Sequence, residues 1–359
     1  MKILISSYTA LGNFILKTPL IRAINKEYET CQIDLIFGYP RGAENILKDS
    51  GLINKQYWLS SQFSIIKKIK MFEKLRQQKY DLIILPFDAT PSFVLILSIL
   101  FLHNSKIISH LPSFQSSSIK ERLKILLGLL FIPSVEWVST LKGRHEIDLN
   151  LDLLQAVTKN NVSRDYSTIV NWKNENITHF NLPESFVAIQ PSAANGAPTP
   201  KTWNPENFNS LIDQFLLKFP EMGIVLLGDS GDIDKLKGLH VLSNNNAINL
   251  LGKTNFNQLC NVLNSAQAVI THDSGIMHVA NALKVPLIAL YGPTDYTRTA
   301  PLASSTRVLH SRTDCWRKMY GFQGSERQIE KQYPNYYCMS GITVNQVMKA
   351  LQILLKYKV

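Results

Sequence analysis

The chain has 359 residues, 45% of them hydrophobic and 18% charged, and its formal net charge is +11 at pH 7. Because this length exceeds the size at which one hydrophobic core keeps growing, we expect two folded domains, and the composition excludes a disordered chain. The positive charge favours an anionic partner, whether nucleic acid, a phosphorylated ligand or an acidic membrane surface.

No apolar segment predicts membrane insertion. The run Ile3–Ile5 is too short for the core of a secretion signal, and the most apolar stretch, Phe93–Leu102, is about half of what a bilayer-spanning helix needs. We therefore expect a cytoplasmic protein without a transmembrane anchor.

The first half of the chain alternates short apolar runs with longer helical patterns, which is typical of βαβ units. The predicted strands are Lys2–Ser6, Gln32–Phe37, Leu82–Pro86 and Lys106–Ser109, and the predicted helices between them include Ile15–Tyr28 and Ile65–Gln78. Because each strand is almost wholly apolar, helices should cover both faces of a parallel sheet.

A polar segment at Asn171–Glu184 interrupts this pattern and predicts an interdomain linker. A second series follows, with strands at Val187–Gln190, Gly223–Leu227, Ala247–Leu250, Ala268–Thr271 and Leu287–Tyr291 and helices at Asn204–Phe219, Phe256–Asn264, Gly275–Leu283 and Val344–Lys356. The predicted fold class is therefore α/β, with two Rossmann-like domains over residues 1–175 and 176–359.

The most informative motif is Asp273–His278, with the sequence D-S-G-I-M-H, which follows an apolar strand and begins a helix. Parallel sheets bind ligands at such turns, and the glycine and the first N–H groups of the helix favour a phosphate. Ser274 and His278 are one turn apart and share a helix face. The alternative is that Asp273 and Ser274 only cap the helix and that His278 is a buried structural histidine.

Two further turns in the second half carry polar residues. The small-residue loop Pro191–Gly196 leads to Lys201, which can act as a point charge on a diphosphate; its alternative is a solvated lysine. The acidic loop Gly228–Asp232 suits a ribose diol, and its alternative is a solvated turn. In the first half, Ala10–Asn13 contains one glycine only and gives little support for dinucleotide binding.

The four cysteines are too few for a disulfide framework in a chain of this length. Cys31 and Cys260 lie in apolar stretches and are expected to be buried thiols. Cys315 and Cys338 flank a Tyr- and Arg-rich insert and can either pair or remain thiols. No C-x-x-C spacing occurs, so we expect no zinc site.

Together these motifs resemble glycosyltransferase family 9, the heptosyltransferases that build the inner core of lipopolysaccharide. The resemblance extends over nearly the whole chain, and its most specific part is the pairing of Asp273–Ala280 with Gly292–Thr294. The other matching segments are Ala10–Ile24, Tyr80–Ile84, His145–Leu151, Pro191–Trp203, Leu251–Thr254 and Cys338–Thr343.

The resemblance implies a GT-B fold of two facing domains with a cleft between them. It implies an N-terminal domain that binds the acceptor and a C-terminal domain that binds an ADP-heptose-like donor. It places Lys201 at the diphosphate, Asp232 at the ribose and Thr254 near the adenine. The remaining residues that it assigns to the donor are Ser192, Ala193, Asp273, Ser274, Gly275, Ile276 and His278. Ala193 departs from the family, which has a second hydroxyl there.

The activity implied is inverting transfer of a heptose onto a lipopolysaccharide core acceptor, with no metal and no cofactor beyond the donor substrate. The second departure concerns Asn13, where the family usually carries the aspartate proposed to deprotonate the acceptor. An amide cannot accept that proton, and a positioned base contributes about 10²–10⁴ in rate. Asp88, after the predicted strand Leu82–Pro86, is the candidate substitute base; its alternative is a capping carboxylate.

Basic residues crowd the predicted helix Ile65–Gln78 and its end. They are Lys67, Lys68, Lys70, Lys74, Arg76 and Lys79, interleaved with Ile65, Ile66, Ile69, Phe72 and Leu75. The stretch Ile119–Phe131 has the same character. Most charge runs are solvated faces, but on an acceptor domain such segments can hold an enzyme at the anionic inner face of the inner membrane.

Three other functions are weighed against this interpretation. A GT-B enzyme that uses another nucleotide sugar, such as an epimerase, should bind UDP rather than ADP and need no acceptor. A silenced relative, suggested by Asn13, should bind nucleotide sugar without transferring it. A nucleic-acid binder is disfavoured, because the basic residues do not alternate with aromatic residues in any known module.

Overall fold

The computed structural model describes residues 1–38, 45–60, 62–86, 92–110, 135–139, 143–193, 200–231, 239, 247–319 and 326–356. The chain divides into two compact units, Met1–Asn171 and Trp172–Val359. The division falls at the beginning of the polar segment that is predicted to be a linker. The basic stretch Ile119–Phe131 lies outside the described residues.

The first unit contains a parallel sheet, which has six strands within the described ranges. The strands are β1 (Lys2–Ser7), β2 (Gln32–Phe37), β3 (Lys55–Trp58), β4 (Leu82–Leu85), β5 (Lys106–His110) and β6 (Val135–Val138). Their order is β3-β2-β1-β4-β5-β6. In β1, the side chains of Ile3, Leu4 and Ile5 are wholly buried, as expected for a strand covered on both faces.

The helices described in this unit are α1 (Leu11–Ile15), α2 (Thr18–Glu27), α3 (Ile65–Arg76), α4 (Ser92–Phe101) and α5 (Glu146–Thr158). The helix predicted over Ile15–Tyr28 is found as α2, which begins three residues later and ends one residue earlier, whereas the short helix α1 was not predicted. Pro19 lies in the first turn of α2, where its missing N–H removes no helical hydrogen bond. The Thr18 hydroxyl donates to the Ile15 carbonyl oxygen at 2.7 Å, which links the two helices.

The second unit repeats this architecture. Its described strands are β7 (Phe186–Ile189), β8 (Gly223–Leu226), β9 (Ala247–Asn249), β10 (Ala268–His272), β11 (Leu287–Tyr291) and β12 (Thr306–His310). They form a parallel sheet in the order β12-β11-β10-β7-β8-β9. Two parallel sheets with helical crossovers confirm the predicted α/β fold class.

The described helices of the second unit are α6 (Pro205–Lys218), α7 (Phe256–Ser265), α8 (Gly275–Ala282), α9 (Tyr296–Thr299), α10 (Glu326–Gln332) and α11 (Val344–Lys356). Trp203 lies fully buried in the core of this unit. Its indole N–H donates to the Ile342 carbonyl oxygen at 2.9 Å, which ties the loop after β7 to the segment before α11. Among the described residues, no helix has both the length and the apolar character needed to cross a bilayer.

Candidate functional site

The second sheet has its topological switch point between β7 and β10. From β7 the chain continues to β8 and β9 on one side, and β10 then returns to the other side of β7 and leads to β11 and β12. The loops after β7 and β10 therefore diverge at the carboxyl edge, which is where open parallel sheets bind their ligands. The predicted site residue Asp273 follows β10 directly, and Ser192 lies three residues after the end of β7.

The structure brings Lys201 and Asp273 together at this edge. The Lys201 Nζ lies 3.2 Å from the Asp273 carbonyl oxygen and 3.2 Å from its Oδ2 atom, and only 12% and 13% of the two side chains is exposed. Burial raises the pKa of the Asp273 carboxyl, but the charges of Lys201 and His278 and the Thr294 hydroxyl outweigh this effect, and the pKa is lowered. Asp273 is therefore ionised at neutral pH and orients the ammonium group of Lys201.

Ser274 is the residue before α8, but its hydroxyl makes no capping hydrogen bond to the helix. It donates a hydrogen bond instead to Gln190 Oε1, which also accepts a hydrogen bond from the Thr271 hydroxyl. The alternative that Ser274 only caps the helix is therefore wrong. The N–H groups in the first turn of α8, at Gly275 and Ile276, lack helical partners and can bind an anion.

Gln190 is a site residue that the sequence motifs did not predict. It is buried at the end of β7 and joins the two loops of the switch point. Its signal is a polar side chain at the end of an apolar strand, at the edge where ligands bind. Ser192 and Ala193, two residues further on, are also buried.

Two histidines flank the Asp273 turn and differ in role. His272 is fully buried, and its Nε2 atom accepts a hydrogen bond from the backbone N–H of Trp203 at 3.0 Å. Burial lowers the pKa of His272 to about 3, so the ring is neutral and holds the Lys201–Trp203 segment against β10. His278 is also buried, one turn into α8, and contributes to the low pKa of Asp273.

The loops after β8 and β9 lie against each other. Gly252 has a left-handed φ of +66°, and its N–H donates to the Gly228 carbonyl oxygen at 3.0 Å. A Cβ atom at Gly252 would lie 2.6 Å from the Ser230 Cα atom. Thr254, two residues after this contact, is half-buried. Asp232 itself lies outside the described residues.

In the first unit, Asn13 lies half-buried in α1, at the carboxyl edge of the sheet. Its carbonyl oxygen accepts a hydrogen bond from Lys17 Nζ at 3.0 Å. Lys17 is almost wholly buried, and its Nζ lies 3.9 Å from Glu146 Oε1 at the start of α5. The sequence does not predict this pair, because Lys17 and Glu146 lie in two segments far apart in the chain and nothing in either segment indicates that they meet. Asp88, the candidate substitute base, lies outside the described residues.

Cys315 and Cys338 form a disulfide, which decides between the two alternatives left open for them. Cys260 is a buried free thiol as predicted, and Cys31 is a half-buried free thiol. Met339, the residue after Cys338, packs closely on Gly292 in the turn after β11. A Cβ atom at Gly292 would lie 2.4 Å from the Met339 Sδ atom. Two distant segments of the family resemblance, at Gly292–Thr294 and at Cys338–Thr343, are thus neighbours.

Comparison with known proteins identifies the family. The family described as glycosyltransferase family 9 (heptosyltransferase) matches residues 68–320, which is more than half of the chain. The chain belongs to this family. The match includes Lys201 and the Asp273–His278 turn, and the predicted class of enzyme, a glycosyltransferase, is confirmed. Asn13 lies upstream of the matched residues.

Individual family members are similar over most of their length. Lipopolysaccharide heptosyltransferase 3 of Escherichia coli is 25% identical over 313 residues, which cover 82% of this chain and 84% of the relative. A solved family 9 glycosyltransferase from Veillonella parvula superposes with a TM-score of 0.75 at 20% identity, covering 99% of this chain and 97% of that one. The E. coli ADP-heptose lipopolysaccharide heptosyltransferase II gives a TM-score of 0.68 at 20% identity, covering 100% and 99%. These likenesses confirm the predicted GT-B fold class.

The described ranges of this family 9 chain bear on the prediction that transfer needs no metal ion. Within those ranges, no cluster of three or more His, Cys, Asp or Glu residues could hold an ion. Metal-independent transfer remains a prediction.

Proposed function

We propose that this chain transfers a heptose from an ADP-heptose-like donor to a lipopolysaccharide core acceptor with inversion. The names of its relatives support the sugar, the nucleotide and the acceptor. The observation that carries the proposal is the Lys201–Asp273 pair beside the N-terminus of α8, at the switch point of the second sheet.

The arrangement suits a departing diphosphate. In the transfer step, the acceptor oxygen bonds to the anomeric carbon while the bond from that carbon to the diphosphate oxygen breaks, and the acceptor proton passes to a base. Negative charge then grows on the diphosphate. An ammonium group already oriented by Asp273 and the N–H groups at Gly275 and Ile276 stabilise that charge without reorganising. No metal is required for this step.

The rest of the donor site follows from the sheet order. If the diphosphate lies between β7 and β10, the nucleoside extends over β8 and β9, which Thr254 and the described part of the acidic loop, Gly228–Gly231, follow. His278 shares a helix face with Ser274 and lies next to the diphosphate. Ser192 and Ala193 line the opposite side of the switch point.

Nucleotide selectivity tests the donor. We expect ADP to raise the melting temperature of the protein more than UDP, GDP or CMP does, and Lys201→Ala to abolish the shift. Lys218→Ala, which removes the same charge from an exposed position in α6, should keep it. Stabilisation by UDP alone would reject the ADP-heptose donor and favour another nucleotide-sugar enzyme.

A second candidate function is nucleotide-sugar binding without efficient transfer, and Asn13 favours it. The side chain cannot accept a proton, and the buried cation of Lys17 lies next to its backbone. Asn13→Asp should then raise acceptor-dependent ADP release by about 10²–10⁴. If wild-type transfer is rapid and Asp88→Asn abolishes it, Asp88 supplies the base instead.

The proposed acceptor also suggests contact with an anionic membrane. Ile65 and Ile66, at the start of α3, are 61% and 62% exposed, whereas Phe72 and Leu75 are buried in the core. The exposed basic residues of α3 and its end are Lys67, Lys70, Lys74, Arg76 and Lys79. Exposed apolar side chains beside lysines and arginines suit an acidic lipid surface.

We expect the protein to co-sediment with phosphatidylglycerol vesicles but not with phosphatidylcholine vesicles, and salt should reduce the bound fraction. Replacing Ile65 and Ile66 by serine should weaken binding, whereas Leu217→Ser, at a residue 87% exposed in the second unit, should not. Binding that is indifferent to lipid charge and to salt would remove this part of the proposal.

A further inference from the structure

Three aromatic rings lie together where β11 and β12 end. Tyr291 and His310 are paired across these strands, so the residues that follow them lie at the same edge of the sheet. The Tyr296 ring stacks on His310, with centroids 4.7 Å apart, and on Trp316, with centroids 5.8 Å apart. The planes differ by only 24° and 21°. We call Tyr296, His310 and Trp316 the aromatic ledge.

Neighbouring groups hold the aromatic ledge in place. The Arg317 guanidinium carbon lies 4.4 Å from the centroid of the Trp316 ring. The same side chain places its Nε atom 2.9 Å from Asp295 Oδ2 and donates from Nη2 to the Thr297 hydroxyl at 3.1 Å. The disulfide at Cys315 anchors the residue just before Trp316. A ligand that binds these rings therefore orders few side chains that were free before.

The aromatic ledge is not part of the hydrophobic core. Trp316 is 36% exposed, and Tyr296 and His310 are half-buried, whereas Tyr291 beneath them is fully buried. Tyr291 packs edge-on against Tyr296, with centroids 6.3 Å apart. The layer thus has a closed inner side. Tyr296 and Arg317 cover part of the Trp316 ring, and the exposed part of the indole is the surface that a ligand can contact.

The sheet order places the ledge on the sugar side of the proposed donor site. The diphosphate site lies between β7 and β10, and the nucleoside is proposed to extend over β8 and β9. The other end of the donor then points towards β11 and β12. Adjacent strands are about 4.8 Å apart, so these strands lie about 5–10 Å from β10, within reach of one sugar ring.

We propose that the aromatic ledge binds a pyranose ring, with the apolar C–H face of the sugar packed on Trp316. The inference rests on the proposed function, since it takes the diphosphate position from it. The ring belongs either to the nucleotide donor or to the acceptor oligosaccharide, and both present the same chemistry. Arg317, already paired with Asp295, positions the indole and does not itself bind the sugar.

Isothermal titration with three probes tests the ledge: ADP, an ADP-hexose, and a delipidated lipopolysaccharide core oligosaccharide. Trp316→Leu keeps an apolar side chain but removes the ring, and should weaken one sugar-bearing probe about tenfold while ADP stays within about twofold. Trp316→Phe should restore most of the affinity. Tyr166→Ala, at a tyrosine 38% exposed in the first unit, is the matched control and should change nothing.

The affected probe identifies the source of the sugar. Loss on the ADP-hexose assigns the ledge to the donor, and loss on the oligosaccharide assigns it to the acceptor. Unchanged affinities, or an equal loss for ADP, would overturn the proposal, because a nucleobase or the general fold would then be involved. If the wild-type protein binds no ADP, the proposed function fails. The oligosaccharide titration still tests whether the aromatic ledge binds a sugar ring.

Discussion

At the scale of single residues, the site depends on partners that are distant in the sequence. The turn at Asp273 was predictable, because an apolar strand, a small polar turn and a helix follow one another locally. Its pairing with Lys201, 72 positions earlier, was not, because a lone lysine after a loop has the same local pattern as a solvated one. Gln190 was not identified for a similar reason, since a single polar residue also simply ends a strand.

Removal of Lys201 should affect transfer more than folding. We expect Lys201→Ala to lower kcat by about 10²–10³, because the growing charge on the diphosphate loses its oriented ammonium group. Acceptor-dependent release of ADP measures this loss, and Lys218→Ala serves as the control with the same change of charge. If the two variants turn over equally well, Lys201 does not contact the leaving group.

His272 should make stability depend on pH. Its pKa is about 3 in the folded protein and 6.5 in the unfolded chain, so between these values only the unfolded chain binds the proton. The titration of His272 therefore leaves the free energy of unfolding unchanged well above pH 6.5. Below pH 6.5 it lowers that free energy, by up to about 1.4 kcal/mol per pH unit. Hydrogen exchange of the β7 and β10 amides at pH 7 and pH 5, corrected for intrinsic rates, measures this decrease.

His272→Gln isolates this effect. A glutamine oxygen can still accept a hydrogen bond from the backbone N–H of Trp203, but it does not titrate. The decrease in the free energy of unfolding between pH 7 and pH 5 should therefore be smaller by about 2 kcal/mol in this variant. His103→Gln, at an exposed position of the first unit, should leave the decrease as it is in the wild type. An unaltered decrease in His272→Gln would show that another group causes it.

At the scale of elements, the interior strands of both sheets were predicted, whereas three of the four edge strands in the described ranges were not. The five strands predicted in the second unit are found with their ends shifted by at most one residue. The edge strands β3, β6 and β12 were missed. β3 is partly exposed and β6 and β12 are mostly half-buried, and none of them has the continuous apolar run of a strand covered on both faces. α1 was missed because its five residues are too few to show a helical spacing, and α2 begins at Thr18 rather than at Ile15 as predicted.

The contact between the loops after β8 and β9 depends on Gly252. Gly252→Ala adds a methyl group that would lie 2.6 Å from the Ser230 backbone, and it also places alanine at φ +66°. Gly143→Ala carries the second cost alone, because its φ is +78° but no atom lies within 4 Å of the added carbon. We expect Gly143→Ala to cost about 1 kcal/mol in unfolding free energy, and Gly252→Ala to cost more and to weaken ADP binding. Urea unfolding and ADP titration of both variants test this; equal behaviour of the two would mean that the loops separate without loss.

At the scale of the whole molecule, two similar sheets have been specialised differently. The second unit holds the Lys201–Asp273 pair, the aromatic ledge and the disulfide, whereas the first has a buried Lys17–Glu146 pair and an exposed apolar and basic helix face. The length of the chain and its alternating strand and helix patterns were enough to predict two domains of similar architecture. They could not predict this division of chemistry, because it arises from side chains that meet only after folding.

How much the disulfide stabilises the fold depends on the cellular compartment. Cys315 and Cys338 are 23 positions apart, and closing a loop of this size stabilises a fold by about 3 kcal/mol when oxidised. Glutathione and thioredoxin keep most cytosolic thiols reduced, so a protein in the expected cytoplasm would lack this contribution.

We expect dithiothreitol, or Cys315→Ser with Cys338→Ser, to increase amide exchange in the segments 287–319 and 326–356 while the first unit is unchanged. Cys260→Ser, which removes a buried thiol outside the pair, should not reproduce this pattern. If the reduced and oxidised proteins exchange alike, packing of Met339 against Gly292 is sufficient to hold the segment, and the aromatic ledge keeps its shape in either redox state.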